Sequence, residues 1–370
     1  QVLKPLYGIA ESGDYWGETV RSHHLKDLKL IGCKGDLATF YKNVENRFSG
    51  ASSTYVDDIL RTGDHVFENS MLQTGEMFKL KKPKFDNFRF AGCEVTTSGR
   101  TRRIHQKSYI QRLKLLPKNA TFSDFRSRRA HFAWIVNTRP DISAVSSQCS
   151  SVTDATYGRE WILVLNDAVK YLQQSPSICL CYPKLDLETL CIVVYTDSSF
   201  ANNNDLSTQI GHIAVLADGS ESCCILSYSS RKSRRVVRSS LAGETLAMSE
   251  GFDTAFILRH DLQEMTGLDI QLLIMTDSKS LFDIITRRQH TTEKRLMVDI
   301  AAIREGFSRH EIANVGLIKS EDNPADGLTK RGFCRALYQL LNTNKIQAPV
   351  LQYIIEERAT AADQTTHQSA

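Results

Sequence analysis

Two apolar runs in the second half of the chain end in the same way: Val193-Val-Tyr-Thr-Asp197-Ser and Leu273-Ile-Met-Thr-Asp277-Ser. Each reads as a strand that delivers a carboxylate just past its carboxyl end, which is where sheets of this kind gather their chemistry. The surrounding pattern says which sheet. Strands are expected at 190–196, 209–217, 223–229, 271–276 and 312–318, and helices at 240–258, 279–287, 292–308 and about 324–342. A three-strand meander followed by alternating strands and helices describes a mixed five-stranded sheet with flanking helices.

The upstream half is less regular. Residues 1–115 read as short strand-like runs (Leu37–Tyr41, Ser53–Leu60, Asn87–Val95) separated by glycine-containing turns. Helices are expected at 104–116 and at 155–173, the second with Trp161, Leu165, Ala168 and Leu172 at three- and four-residue steps. Between them Asn137-Thr-Arg-Pro-Asp141 reads as a turn. The segment from Glu356 to Ala370 has almost nothing to bury and reads as disordered.

With 370 residues, 41% hydrophobic and 24% charged, the chain fits two or three globular domains. No apolar run approaches the roughly 18 residues needed to cross a bilayer. It begins Gln-Val-Leu-Lys-Pro, with neither an initiator methionine nor a signal peptide, and reads as a piece of something longer. The nine cysteines form no Cys-x-x-Cys pair, which points to reduced thiols inside a cell rather than a zinc module. Cys179 and Cys181, in Ile-Cys-Leu-Cys-Tyr, read as core, with a zinc or redox site as the lesser alternative. Net charge is only +4, but residues 79–118 hold twelve Lys or Arg against Asp86 and Glu94. A second block, Arg231-Lys-Ser-Arg-Arg-Val-Val-Arg238, contains no acid. Two such concentrations in a nearly balanced chain favour a polyanionic partner such as nucleic acid over plain solvated surface.

Four acids carry the chemistry. Asp197 and Asp277 sit at equivalent strand ends, though Asp277 alone could be a turn residue before the helix that Ser278 opens. Glu244 lies at the edge of an apolar stripe of Leu241, Thr245, Met248, Phe252 and Ala255, where a carboxylate facing the sheet is expensive unless paired with a cation. Snorkelling to water is its alternative. Asp326 stands at the start of the final helix, where an acid is favoured in any case. Together the four would supply the oxygen ligands of two Mg²⁺ ions able to act on a phosphodiester.

At this point the residues resemble the ribonuclease H of copia-type LTR retrotransposons. Tyr195-Thr-Asp197-Ser-Ser-Phe-Ala, Ser239-Ser-Leu-Ala-Gly-Glu244-Thr, Thr276-Asp277-Ser-Lys-Ser and Glu321-Asp-Asn-Pro-Ala-Asp326-Gly-Leu-Thr-Lys330 are similar to its four catalytic motifs, in order. Upstream, Lys4-Pro-Leu-Tyr-Gly8 resembles the nucleotide-pocket segment of the element's reverse transcriptase, Tyr55-Val-Asp57-Asp58 its active-site hairpin, and Asn137-Thr-Arg-Pro-Asp141-Ile its connection region. The resemblance runs to about residue 345. It implies a truncated reverse-transcriptase palm and thumb over 1–118, a connection region over 119–185, a ribonuclease H-like domain over 186–345 and a disordered tail over 346–370.

The activity implied is endonucleolytic cutting of the RNA strand of an RNA/DNA hybrid. Asp197, Glu244, Asp277 and Asp326 would bind two Mg²⁺ ions, with Mn²⁺ able to substitute and Asp197 bridging both. Arg231, Lys232, Arg234 and Arg235 would contact the hybrid backbone, and Lys81, Lys82, Arg102 and Arg103 of the basic segment would grip the same duplex upstream. Other parts of the element's polyprotein are expected partners, and the setting is intracellular, in a cytoplasmic particle or the nucleus, not secreted. Asp57 and Asp58 would be a polymerase remnant. A reverse transcriptase needs a third carboxylate upstream of Lys4, so DNA synthesis is not expected. Lys294-Arg295 stands where relatives carry Lys-His. The alternative function is a nucleic-acid-binding remnant that no longer cuts. A transposase or integrase would use three carboxylates in another order.

Overall fold

The computed structural model describes residues 11–287, 291 and 293–346, so Lys4–Gly8 and the expected tail from 347 onward lie outside the described residues. The described chain divides into two compact units, residues 11–95 with 257–269 and residues 96–256 with the described part of 270–346.

In the first unit, helix α1 (Ser12–Ser22) continues into a wider turn at His23–Asp27. An antiparallel sheet follows in the order β1 (Ile31–Gly32), β2 (Thr39–Val44), β3 (Arg47–Tyr55), β4 (Asp58–Gly63). Helix α2 (His65–Met77) is started by Asp64, whose carboxylate accepts the backbone N–H of Val66 and of Phe67 at 2.9 and 3.0 Å. Leu28, Leu30, Phe40, Phe67 and Met71 form the core. The reading of 1–115 as strands and turns therefore missed two helices. The reason is visible in α2: only Phe67, Met71 and Thr74 are buried, so its apolar face is too sparse to announce a helical period. The strand at Asn87–Val95 is a hairpin, β5 (Phe88–Phe90) and β6 (Cys93–Ser98), turned at Ala91-Gly92 with both residues at positive φ.

The second unit takes up the chain within β6 and continues with β7 (Thr101–His105) and the short α3 (Lys107–Gln111), where a helix over 104–116 was expected. Beyond Arg112 the backbone finds its partners on a later helix instead of within itself. Asn166 accepts the N–H of Leu116 at 2.8 Å and donates to its carbonyl at 2.9 Å, and Gln173 donates to the carbonyl of Leu113 at 2.9 Å. Helices α4 (Phe122–Ala133), α5 (Ser143–Ser150) and α6 (Arg159–Gln174) close over Phe125, Phe132, Ile135, Leu165, Val169 and Leu172. The Arg-Pro-Asp turn proves to be a buried knot. Arg139, with no exposed surface, pairs with Asp141 at 2.7 Å and donates to the carbonyl of Ser175, while the Tyr171 hydroxyl donates to Asp141 at 2.7 Å.

Strand β8 (Leu180–Tyr182) pairs with β7. Cys179 is buried as expected of a core residue, and Cys181 is half-buried. The main sheet comprises β9 (Cys191–Ser199), β10 (Gln209–Ala217), β11 (Cys223–Lys232), β12 (Gln271–Thr276) and β13 (Asn314–Leu317). Its order is β11-β10-β9-β12-β13, antiparallel across β11-β10-β9 and parallel across β9-β12-β13. This is the mixed five-stranded α/β sheet expected from the sequence. All nine residues of the central strand β9 are buried.

Helices α7 (Ser240–Thr266), α8 (Lys279–Thr286), α9 (Met297–Ser308), α10 (Asp326–Thr329) and α11 (Arg335–Thr343) complete the unit, except that residues 257–266 of α7 belong to the first unit. The single helix expected over 324–342 is broken at Lys330-Arg-Gly-Phe333, where Gly332 has a φ of +117°. Among the described residues no helix is long and apolar enough to cross a membrane.

Candidate active site

The parallel pairing of β9 with β12 sets Met275 beside Tyr195, so the two Thr-Asp-Ser endings emerge side by side. Asp197 is carried on β9 itself and is 2% exposed. Glu244 reaches the same point from the first turns of α7. Gly243 makes this possible, because a Cβ there would stand 2.5 Å from the Ser198 hydroxyl. Gly251, two turns on, repeats the close approach, with a Cβ position 2.9 Å from Thr196. One oxygen of each of Asp197, Glu244 and Asp277 lies within 4.8 Å of the other two.

The carboxylates are held on one side only. Glu244 Oε1 accepts from the backbone N–H and the hydroxyl of Ser198 at 3.1 and 2.8 Å, while its Oε2 is buried with no hydrogen-bond partner. Asp277 accepts from the Ser320 hydroxyl and Asp197 from the Thr329 hydroxyl. Burial pushes Glu244 up to about 7, against the Ser198 hydrogen bonds and with the charge of Asp277 adding to it. Asp197 is held well above the usual carboxylate range, first by burial and then by the charges of Glu244 and Asp326. Two buried acids that resist ionisation, Asp197 and Glu244, the second with an unsatisfied oxygen, call for a cation.

Asp326 joins from α10, and what places it is Asn323. This side chain is fully buried, donates to the carbonyl of Thr196 at 2.9 Å and accepts the N–H of Ala325 at 3.1 Å, stitching the Asn-Pro-Ala-Asp segment to β9. Asp326 does not enter the tight set of three. Between it and Asp197 stands Lys330, whose Nζ is 2.8 Å from Asp326 Oδ1 and 3.8 Å from Asp197 Oδ2. Sequence reading quoted Asn323, Thr329 and Lys330 within the motif but gave them no role. The Asn323-Pro324 pair was the available signal for the first.

The cations expected to meet nucleic acid are placed as follows. Arg231 pairs with Glu250, Lys232 with Asp205 at 2.8 Å and Arg235 with Asp299 at 2.7 Å, while Arg234 is exposed. Lys81 and Lys82 lie on an exposed loop of the first unit, and Arg102 and Arg103 are exposed on β7 of the second. Arg295 is exposed in a single turn at Lys294–Leu296. In the first unit Tyr55 pairs with Asp58 across a tight turn, so Asp57 is in the turn and Asp58 opens β4, both exposed. Among the described residues no third metal-ligating side chain joins them.

No protein-family model matches this chain, and no curated protein matches it. Among solved structures it is similar to RNase H1 from the halophilic archaeon Halobacterium salinarum NRC-1, at 18% identity over 40% of this chain and 98% of that one, with a TM-score of 0.29. It is also similar to LC11-RNase H1 in complex with RNA/DNA hybrid, at 20% identity over 40% of this chain and 99% of that one, with a TM-score of 0.30. The foamy viral protease-reverse transcriptase in complex with RNA/DNA hybrid is similar at 14% identity over 85% of this chain and 38% of that one, with a TM-score of 0.47.

Proposed function

We propose that this chain is a two-metal-dependent endoribonuclease that cuts the RNA strand of an RNA/DNA hybrid, part of a copia-type LTR retrotransposon polyprotein. The observation that carries it is the meeting of Asp197, Glu244 and Asp277, from two parallel strand ends and a helix, within 4.8 Å of one another. The unpartnered Glu244 Oε2 and the raised carboxyl pKa values fit hard divalent cations, Mg²⁺ or Mn²⁺, with Asp326 as the fourth acid. When bound, the cations supply a nucleophilic water near neutral pH and neutralise charge on the leaving oxygen.

The chain's own residues prepare that chemistry. Ser198, Ser320 and Thr329 fix the carboxylates from outside, so their remaining oxygens are presented without rearrangement. Burial on β9 excludes water from the Asp197 side. The hybrid substrate rests on the sequence resemblance, since four carboxylates and two cations would serve other phosphodiesters. DNA synthesis by Asp57 and Asp58 is not proposed.

The test is cleavage of a labelled RNA/DNA hybrid with Mg²⁺ by the full chain beside Asp197→Asn and Asp277→Asn, with primer extension run on the same preparation. RNA-strand cutting that both substitutions abolish, by about a hundredfold or more, is the expected outcome. A folded, hybrid-binding protein that cuts nothing with Mg²⁺ or Mn²⁺ would be a binding remnant and would overturn the reading.

A further inference from the structure

Lys330 is the cation already inside this site. Its ammonium makes a 2.8 Å bond to Asp326 and stands 3.8 Å from Asp197, a residue whose side chain is 3% exposed. Its position is fixed by the fold. The Lys330 N–H closes α10 on the carbonyl of Asp326 at 3.0 Å, and the preceding Thr329 is tied to Asp197. No lysine or arginine forms an ion pair with Glu244 or Asp277 among the described residues, and Glu244 Oε2 has no partner at all. The close contacts of Lys330 are thus with Asp197 and Asp326, while its charge reaches Glu244 and Asp277 only from farther off.

We propose that Lys330 is a built-in placeholder that makes cation entry ordered: one divalent ion enters among Asp197, Glu244 and Asp277, and a second reaches Asp197 and Asp326 only as the Lys330 ammonium leaves. This rests on the two-metal reading above. The ammonium and a divalent ion cannot share those two carboxylates, because like charges at such separations repel strongly. The departing side chain has somewhere to go. A cavity of about 680 Å³ opens beside Asp326 and Lys330, lined also by Ser320, Asp322, Phe333 and Gln339. Lys330 is 45% exposed already, so its outward swing uncovers little buried apolar surface.

The test is a calorimetric titration of Mn²⁺ into the full-length wild type, Lys330→Met and Lys330→Arg, with folding of each checked by thermal melting. The wild type is expected to bind one ion at least about tenfold more tightly than a second, with Lys330→Met closing most of that gap and Lys330→Arg keeping it. In parallel, modification of Lys330 by an amine-reactive reagent, read by mass spectrometry, is expected to speed up at the second equivalence point. Unchanged constants in folded Lys330→Met, or a labelling rate that ignores Mn²⁺, would overturn the proposal. Failure of the two-metal reading looks different: the wild type then binds no Mn²⁺, or binds it with a stoichiometry that Asp197→Asn does not alter.

Discussion

Glu244 shows how far a single residue can work against the fold that holds it. Its carboxyl is pushed up to about 7, mainly by burial, whereas in the unfolded chain it titrates near its ordinary value of 4.5. An acid whose folded pKa is raised lets the unfolded state ionise first, so stability is full below about 4.5 and falls as the pH rises toward 7. In a metal-free buffer Glu244→Gln should therefore be more stable than the wild type at pH 8, by about 1–3 kcal/mol, and the advantage should vanish near pH 4. Denaturant melts of the two proteins across that range, with chelator, check this. An unchanged difference between the two pH values would mean that the burial of Glu244 is not what shifts it. Adding Mg²⁺ should stabilise the wild type and leave Glu244→Gln behind, because only the ionised site gains from the cation.

Elements meet at the site through a contact that helix propensity argues against. In an exposed helix Gly→Ala gains up to about 1 kcal/mol. At Gly243 the new methyl would sit 2.5 Å from the Ser198 hydroxyl and 3.0 Å from its Cβ, on a strand with no room to retreat. Overpacking of this kind costs about 1–3 kcal/mol, so the clash outweighs the propensity. Gly243→Ala is expected to lower the melting temperature and to weaken divalent-cation binding, since Glu244 loses its hold on Ser198. A melting curve and a Mn²⁺ titration decide it, and a more stable variant with unchanged Mn²⁺ binding would refute the contact.

At the scale of the whole molecule, the two units should not unfold together. Among the described residues the first packs a small cluster of Leu28, Leu30, Phe40, Phe67 and Met71, whereas the second holds two far larger clusters. His24 adds a liability to the first unit. It is buried with neither ring nitrogen hydrogen-bonded, and burial, with the nearby His23, lowers its pKa to about 4. A histidine with a depressed pKa must stay neutral to fold, so its contribution is intact above about 6.5 and is lost as pH falls toward 4. Thermal unfolding should show two transitions, the lower one weakening between pH 6.5 and 4, and Phe67→Ala should lower that transition alone by about 3–5 kcal/mol. Calorimetry showing one cooperative transition for both proteins would count against this division.

The sheet was legible because its strands are continuous apolar runs and its helices carry periodic apolar stripes; 209–217 and 271–276 match their strands residue for residue. The two Thr-Asp-Ser endings and Glu244 were legible for the same reason: a charge at the margin of such a pattern stands out. Helices α1 and α2 were not legible, because helices that bury one residue and three leave no period to read. Nor was the segment after Arg112, whose backbone is satisfied by Asn166 and Gln173 some fifty and sixty positions away. The sequence by itself determined which acids stand at strand and helix ends, since that depends only on local order. Only the tertiary structure decided that three of them converge within 4.8 Å while Lys330 takes the place between Asp197 and Asp326. Convergence depends on parallel register and on how closely a glycine lets a helix approach a strand, and both are set by packing between segments far apart in the chain.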